Sequence, residues 1–213
     1  MHAYIAKQAI LNDQRHVVAY ELLYRDSLEN AFPAINEEIA TRSLVSQHLL
    51  GSDINQLVDN KPYFINFTEQ CLLDLLPLKL INRPIVIEVL EDVRPTTAVY
   101  DALQTLKKAG FVIALDDFIY TPHWRPFLVL IDIIKFDINQ TSFAEIAALK
   151  SLLEKHDIKM LIEKIETEQQ FEEAKKLACD YFQGYFFSTP EVILNKLIHF
   201  DVNDRYAVIP DES

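Results

Sequence analysis

The residues able to do chemistry in this chain follow short apolar runs, one after another. Glu21 comes after Val17-Val18-Ala19-Tyr20, Asn66 after Tyr63-Phe64-Ile65, and Glu88 after Ile85-Val86-Ile87, with Glu91 three positions further. Asp116 and Asp117 end the run 112–115, Lys135 and Asp137 the run 131–134. Glu163 and Glu166 follow the run that begins at 159, and Gln183 falls in the last one. Carboxylates gathered on one face cannot all stay ionised without strong mutual repulsion, so either some hold protons or cations neutralise them. Hard oxygen ligands with one amide suit Mg2+ or Mn2+, and two such ions side by side form a clamp for phosphodiester hydrolysis. Asp116, with a second carboxylate beside it, is placed to bridge two ions. Each residue alone has an ordinary reading: an Asp at a strand end caps a helix, Lys135 is solvated, Asn66 makes a turn before Thr68. Recurrence at successive strand ends favours a site.

The elements that must position these groups alternate in type. Residues 4–10 and 17–24 read as two strands of a hairpin across Asn12-Asp13-Gln14-Arg15. Further strands are expected at 63–67, 84–90, 111–115, 130–136, 159–165 and 181–187. Helical patterns cover 36–50, 69–76, 142–156, 168–177 and 191–198, and one more starts at Pro95 and stops at Gly110. Apolar runs such as Val112-Ile113-Ala114-Leu115 imply strands buried on both faces, as in a parallel sheet covered by helices. Eight strands favour a closed TIM-like (β/α)8 barrel with an N-terminal antiparallel hairpin over an open flavodoxin-like sheet, which uses fewer. Barrel sites lie at the C-terminal ends of the strands, where the carboxylates fall.

Composition narrows the partners. The 213 residues carry a formal net charge of −12, and no Lys/Arg stripe reverses it locally, which excludes a nucleic-acid polymer as the expected ligand. The apolar runs are too short to span a membrane, and the N-terminal residues lack a signal-peptide pattern. Two cysteines outside any CxxC, Cys71 and Cys179, read as buried filler in a reducing compartment, so a cytoplasmic location is expected. Only three glycines occur, which removes phosphate-cradling glycine loops. The six histidines show no metal-binding spacing, and no nucleophile elbow is present.

Seven motifs, in order, make the chain resemble the EAL family of cyclic di-GMP phosphodiesterases over nearly its whole length. Tyr20-Glu21-Leu22-Leu23-Tyr24-Arg25 resembles the name motif, and Ile65-Asn66-Phe67-Thr68 is similar to the asparagine strand. Glu88-Val89-Leu90-Glu91 matches the ExxE element, Leu115-Asp116-Asp117-Phe118 the double aspartate, and Ile134-Lys135-Phe136-Asp137 the lysine motif. Glu163-Lys164-Ile165-Glu166-Thr167 and Gln183-Gly184-Tyr185 are similar to the last two. The resemblance implies an EAL domain over 1–200 with a polar tail at 201–213. It implies that Glu21, Asn66, Glu88 and Asp116 hold one Mg2+ or Mn2+ ion, and Asp116, Asp117 and Glu163 a second. Lys135 would touch the attacking water, Glu21 and Glu163 would share in catalysis, and Arg25, Gln183 and Glu166 would bind substrate. Glu91 would anchor the loop after Asp117. The product would be linear pGpG, and a homodimer is implied.

The chain also departs from the pattern. Leu22 stands for the alanine of the name motif, Lys164 for a glycine, and Ile119-Tyr120-Thr121-Pro122-His123-Trp124 for a glycine-rich loop. The interval from Asn66 to Glu88 is short. These features most resemble the EAL branch usually followed by an HDOD domain, although no HDOD segment lies within these residues. The alternative function is a catalytically weak or inactive EAL domain that serves as a cyclic di-GMP receptor or protein regulator.

Overall fold

The computed structural model describes residues 2–25, 37–45 and 54–197. The chain opens with two long strands, β1 (His2–Leu11) and β2 (Val17–Arg25), paired antiparallel. Their turn is closed by Asn12, whose Oδ1 accepts hydrogen bonds from the backbone N–H of Gln14 and His16. Helices α1 (Glu37–Ser43) and α2 (Ile54–Leu57) precede β3 (Tyr63–Phe67). The expected helix over 36–50 is thus seen only in its first part, and the rest lies outside the described residues. After β3 come α3 (Glu69–Leu73), a 3-10 segment (Leu76–Leu80), β4 (Ile85–Val89), α4 (Thr97–Lys108) and β5 (Val112–Leu115). A second 3-10 segment (Pro122–Leu130) leads to β6 (Ile133–Asp137), α5 (Phe143–Lys155), β7 (Lys159–Glu163), α6 (Glu168–Lys176), β8 (Tyr181–Phe182) and β9 (Glu191–Leu197).

Strands β2 to β8 run parallel in sequence order, and β1 closes the ring by pairing antiparallel with both β2 and β8. The result is an eight-stranded barrel of the expected TIM-like class. One expected helix is corrected: residues 191–197 form β9 and add to β1 as a ninth strand. The cause is β1's length. Its ten residues outrun the two of β8, which meets it only at Leu11 opposite Phe182. That leaves the backbone groups of the first half of β1 to be paired by another strand. The strand expected over 181–187 shrinks accordingly to Tyr181–Phe182.

Helices pack outside the barrel over one continuous apolar core, in which Tyr63, Phe67, Phe136, Phe171 and Phe182 are wholly buried. The apolar run before β6 contains one charge, Asp132. Its carboxylate accepts from the Ile113 N–H at 2.8 Å and pairs with Lys107 of α4, tying β5, β6 and a helix together. Cys71 and Cys179 are buried and unbridged. No helix among the described residues is long and apolar enough to cross a membrane.

Candidate active site

A second, smaller apolar cluster fills the barrel's interior at its lower end: Ile10, Ala19, Phe64, Val86, Ala114, Ile133 and Leu161. Side chains alternate along a strand, so the next inward position lies two residues further on. On β2, β3 and β4 that step gives Glu21, Asn66 and Glu88; on β5, β6 and β7 it gives Asp116, Lys135 and Glu163. Gln183 takes the same step beyond Tyr181. The polar residues at successive strand ends are therefore one layer of the barrel interior, resting directly on an apolar plug. Above them opens a cleft of about 570 Å³, within the size range of small-ligand sites.

Lys135 stands at the centre of this layer, 1% exposed. Its Nζ lies 2.9 Å from Asp116 Oδ1, 2.9 Å from Glu163 Oε1 and 3.8 Å from Glu21 Oε2, and it is ion-paired with Glu88. Burial alone would lower its pKa, but Asp116, Glu163, Glu21 and Glu88 outweigh that and raise it well above the ordinary lysine value. The ammonium stays charged. Burial acts the other way on the carboxyls. It raises Glu88 far above the usual range, despite Lys135, and raises Glu163 to about 8. Asp116 is also desolvated, yet its ion pair with Lys135 holds it below the ordinary value.

Asp116 and Asp117 are aimed by the backbone. The Asp116 N–H continues the ladder to Val89 O at 2.9 Å, and the Phe118 N–H crosses to Lys135 O at 3.0 Å. Between them Asp117 takes φ 41°, a left-handed conformation that aspartate tolerates better than most residues. Carboxylate oxygens of Asp116, Asp117 and Glu163 come within 4.8 Å of one another. Burial, then Asp116 and Asp137, raise the Asp117 pKa. With all groups ionised, Glu21, Glu88, Asp116, Asp117 and Glu163 exceed Lys135 and Lys164 by three charges. Asn66 Oδ1, Glu88 Oε2 and Asp117 Oδ1 are buried without a hydrogen-bond partner. Unpartnered oxygens amid excess negative charge fit divalent, oxygen-seeking cations.

Gln183 is 3% exposed and donates from Nε2 to Glu21 Oε2 at 2.6 Å and to Gln8 Oε1 at 3.2 Å. Gln8 had no place in the sequence-based set. It pairs directly across from Glu21 in the β1–β2 ladder and donates to Ser188 O at 3.1 Å. Gln140, also absent from that set, donates to Asp117 Oδ2 at 3.0 Å. Thr41 of α1 donates to Asn66 O at 2.9 Å and so fixes the end of β3. None of the three ends an apolar run, the signal by which the others were found.

The remaining expected residues are placed less centrally. Glu166 and Glu91 line the exposed rim of the cleft. Among the described residues, Glu91 makes no side-chain hydrogen bond to the segment after Asp117. Arg25 ends β2, and its side chain lies outside the described residues. Asp137 accepts from the Asn139 N–H at 2.7 Å and shares the Gln140 amide with Asp117. The segment that replaces a glycine-rich loop packs inward: Trp124 sits edge-on to Phe118 and Phe127 at 6.0 and 5.2 Å. Gly184 is required by close approach, since a Cβ there would lie 2.1 Å from Ile165 O.

Comparison with known proteins agrees with this architecture. CdgJ of Vibrio cholerae, named a cyclic di-GMP phosphodiesterase, is 38% identical over 198 residues, covering 92% of this chain and 46% of CdgJ. The uncharacterized protein YuxH of Bacillus subtilis is 37% identical, covering 91% of this chain and 48% of YuxH. The chain thus spans just under half the length of these curated relatives. Among solved structures, an EAL domain protein of Listeria monocytogenes superposes with a TM-score of 0.71 at 21% identity, covering 88% of each chain. BlrP1 of Klebsiella pneumoniae, in a manganese and cyclic di-GMP complex, gives 0.71 at 23% identity over 89% of this chain and 56% of its own. The EAL domain family matches residues 14–190, which include every motif residue of the barrel interior, and the chain belongs to that family.

Proposed function

We propose that this chain hydrolyses cyclic di-GMP to linear pGpG with two divalent ions, Mg2+ or Mn2+. The observation that carries the reading is the interior layer itself, with Asp116, Asp117 and Glu163 within 4.8 Å and unpartnered oxygens on Asn66, Glu88 and Asp117. CdgJ is named for this activity, and BlrP1 and YkuI have been solved with cyclic di-GMP and calcium or manganese. Glu21, Asn66, Glu88 and Asp116 would hold one ion, and Asp116, Asp117 and Glu163 the other. Bound there, the ions supply Lewis-acid stabilisation of phosphoryl oxygens and acidify a water.

The chain's own residues do the rest. Lys135 presents a permanently charged donor at the cleft floor, suited to orienting a water against phosphorus. Gln183 holds Glu21 in place, and Gln183, Arg25 and Glu166 would bind substrate. Formation of pGpG requires water oxygen to bond to phosphorus while the P–O3′ bond breaks and the 3′ oxygen gains a proton. We further place the protein in the cytoplasm, where buried thiols stay reduced, and as a homodimer, with an HDOD or similar domain as regulatory partner.

The test is incubation of the purified chain with cyclic di-GMP and Mn2+, following pGpG by chromatography. Glu21→Ala should lower turnover by about a hundredfold or more. Calcium should suppress it, because that ion prefers a larger and looser oxygen shell. Tight binding with no product would instead favour a receptor, a reading to which the inward-packed segment after Asp117 lends support.

A further inference from the structure

Among the described residues lining the cleft, only Lys135 and Lys164 carry positive charge. Lys135 is enclosed by four carboxylates. Lys164 is different. It is exposed to the cleft beside Asp117 and Glu163 and, among the described residues, makes no ion pair within 4.0 Å. The same walls carry Glu21, Glu37, Glu91, Asp116, Asp117, Glu163 and Glu166, in a chain of net charge −12. Such a cleft repels a dianionic phosphodiester ligand except where a cation meets it.

The backbone makes the lysine more telling. Lys164 has φ 59°, in the left-handed region where a side chain is disfavoured and glycine is not. The conformation is imposed by the residue that follows it. The Ile165 N–H donates to Gln183 O at 3.1 Å, and Ile165 O accepts from Phe186 N–H at 3.0 Å, with Gly184 lacking the Cβ that would collide. Folding therefore asks for glycine at 164, and a long cation stands there instead. Strain at a cleft wall is a reason to look for function.

We propose that Lys164 is a substrate-binding residue whose ammonium contacts an anionic oxygen of the phosphodiester seated above Asp117 and Glu163. This rests on the phosphodiesterase reading. It assigns to this chain a cation that replaces the family-like glycine and compensates the acidic cleft.

The test compares wild type, Lys164→Gly and Lys164→Arg. Melting temperature is measured for each, cyclic di-GMP affinity by calorimetry with Ca2+, and KM and kcat with Mn2+. Lys164→Gly should melt higher, because the left-handed backbone is relieved, while Kd and KM rise about tenfold and kcat changes little. Lys164→Arg should keep near wild-type Kd and KM, and the salt dependence of KM should flatten only in the glycine variant. Wild-type Kd and KM in Lys164→Gly would overturn the assignment, as would a change confined to the Mn2+ concentration needed for activity. Failure of the wild type to bind cyclic di-GMP would sink the phosphodiesterase reading itself, and this inference with it.

Discussion

Gln8 shows how a site residue escapes a reading based on strand ends. It sits on β1, the one barrel strand that runs antiparallel to its neighbours, so its inward step precedes Ile10. A search for polar residues after apolar runs passes over it, because the polar-then-apolar order is reversed. Glu21, Asn66, Glu88, Asp116, Lys135 and Glu163 were legible because their strands all point the same way. In the fold, Gln8 braces Gln183, and Gln183 holds Glu21. Gln8→Leu keeps the volume, removes the brace and leaves Ser188 O without its buried donor. Losing one such hydrogen bond costs about 1–2 kcal/mol, so kcat should fall roughly 5- to 30-fold with KM little altered. Steady-state kinetics decide this, and an unchanged kcat would leave Gln8 a packing residue.

At the scale of elements, five of the six described helices (α1, α3, α4, α5 and α6) and the first eight strands follow from local signals, whereas α2 and β9 do not. In Glu191-Val192-Ile193-Leu194-Asn195-Lys196-Leu197 neither alternate face is uniformly apolar, so period two is weak and adjacent apolar residues suit a helix. What decides is the unpaired length of β1, a tertiary fact with no local signature. Local signals also separate elements that hold the site from those that enclose it. Ser142 caps α5 in a reciprocal capping box with Glu145, and neither residue lines the cleft. Ser142→Ala should cost about 1 kcal/mol of stability, read from urea midpoints, and leave turnover intact. Gly184→Ala acts where β8 meets the end of β7, and a Cβ 2.1 Å from Ile165 O cannot be absorbed by a rotamer change. It should cost roughly 3 kcal/mol or more and disturb Gln183 and Lys164 together. Equal stability losses in the two variants would mean that the β7–β8 junction yields more easily than its geometry suggests.

For the whole molecule, the interior layer couples charge to stability. Glu163, pushed up to about 8, and Glu88 and Asp117, also raised, keep protons in the fold that they would release in the unfolded chain. The folded state then binds more protons across the interval from about pH 5 to pH 8, so unfolding free energy falls as pH rises there. Groups shifted the other way act elsewhere. Asp116, Asp74 and Glu145 are lowered, so their contribution is lost only on acidification below the ordinary carboxylate range. Lys135 and Lys164 are raised and lose protons only above the ordinary lysine range. Within the interval the raised carboxyls therefore act unopposed by these groups. Divalent ions should reverse the trend, because they replace protons at the same oxygens and stabilise the fold by mass action. Urea unfolding in EDTA should show midpoints that decline between pH 5 and pH 8, whereas millimolar Mn2+ should raise them most at pH 8. Midpoints that rise with pH in EDTA, or that ignore Mn2+ at pH 8, would show that the layer is already neutralised by Lys135 and Lys164, leaving no electrostatic demand for cations.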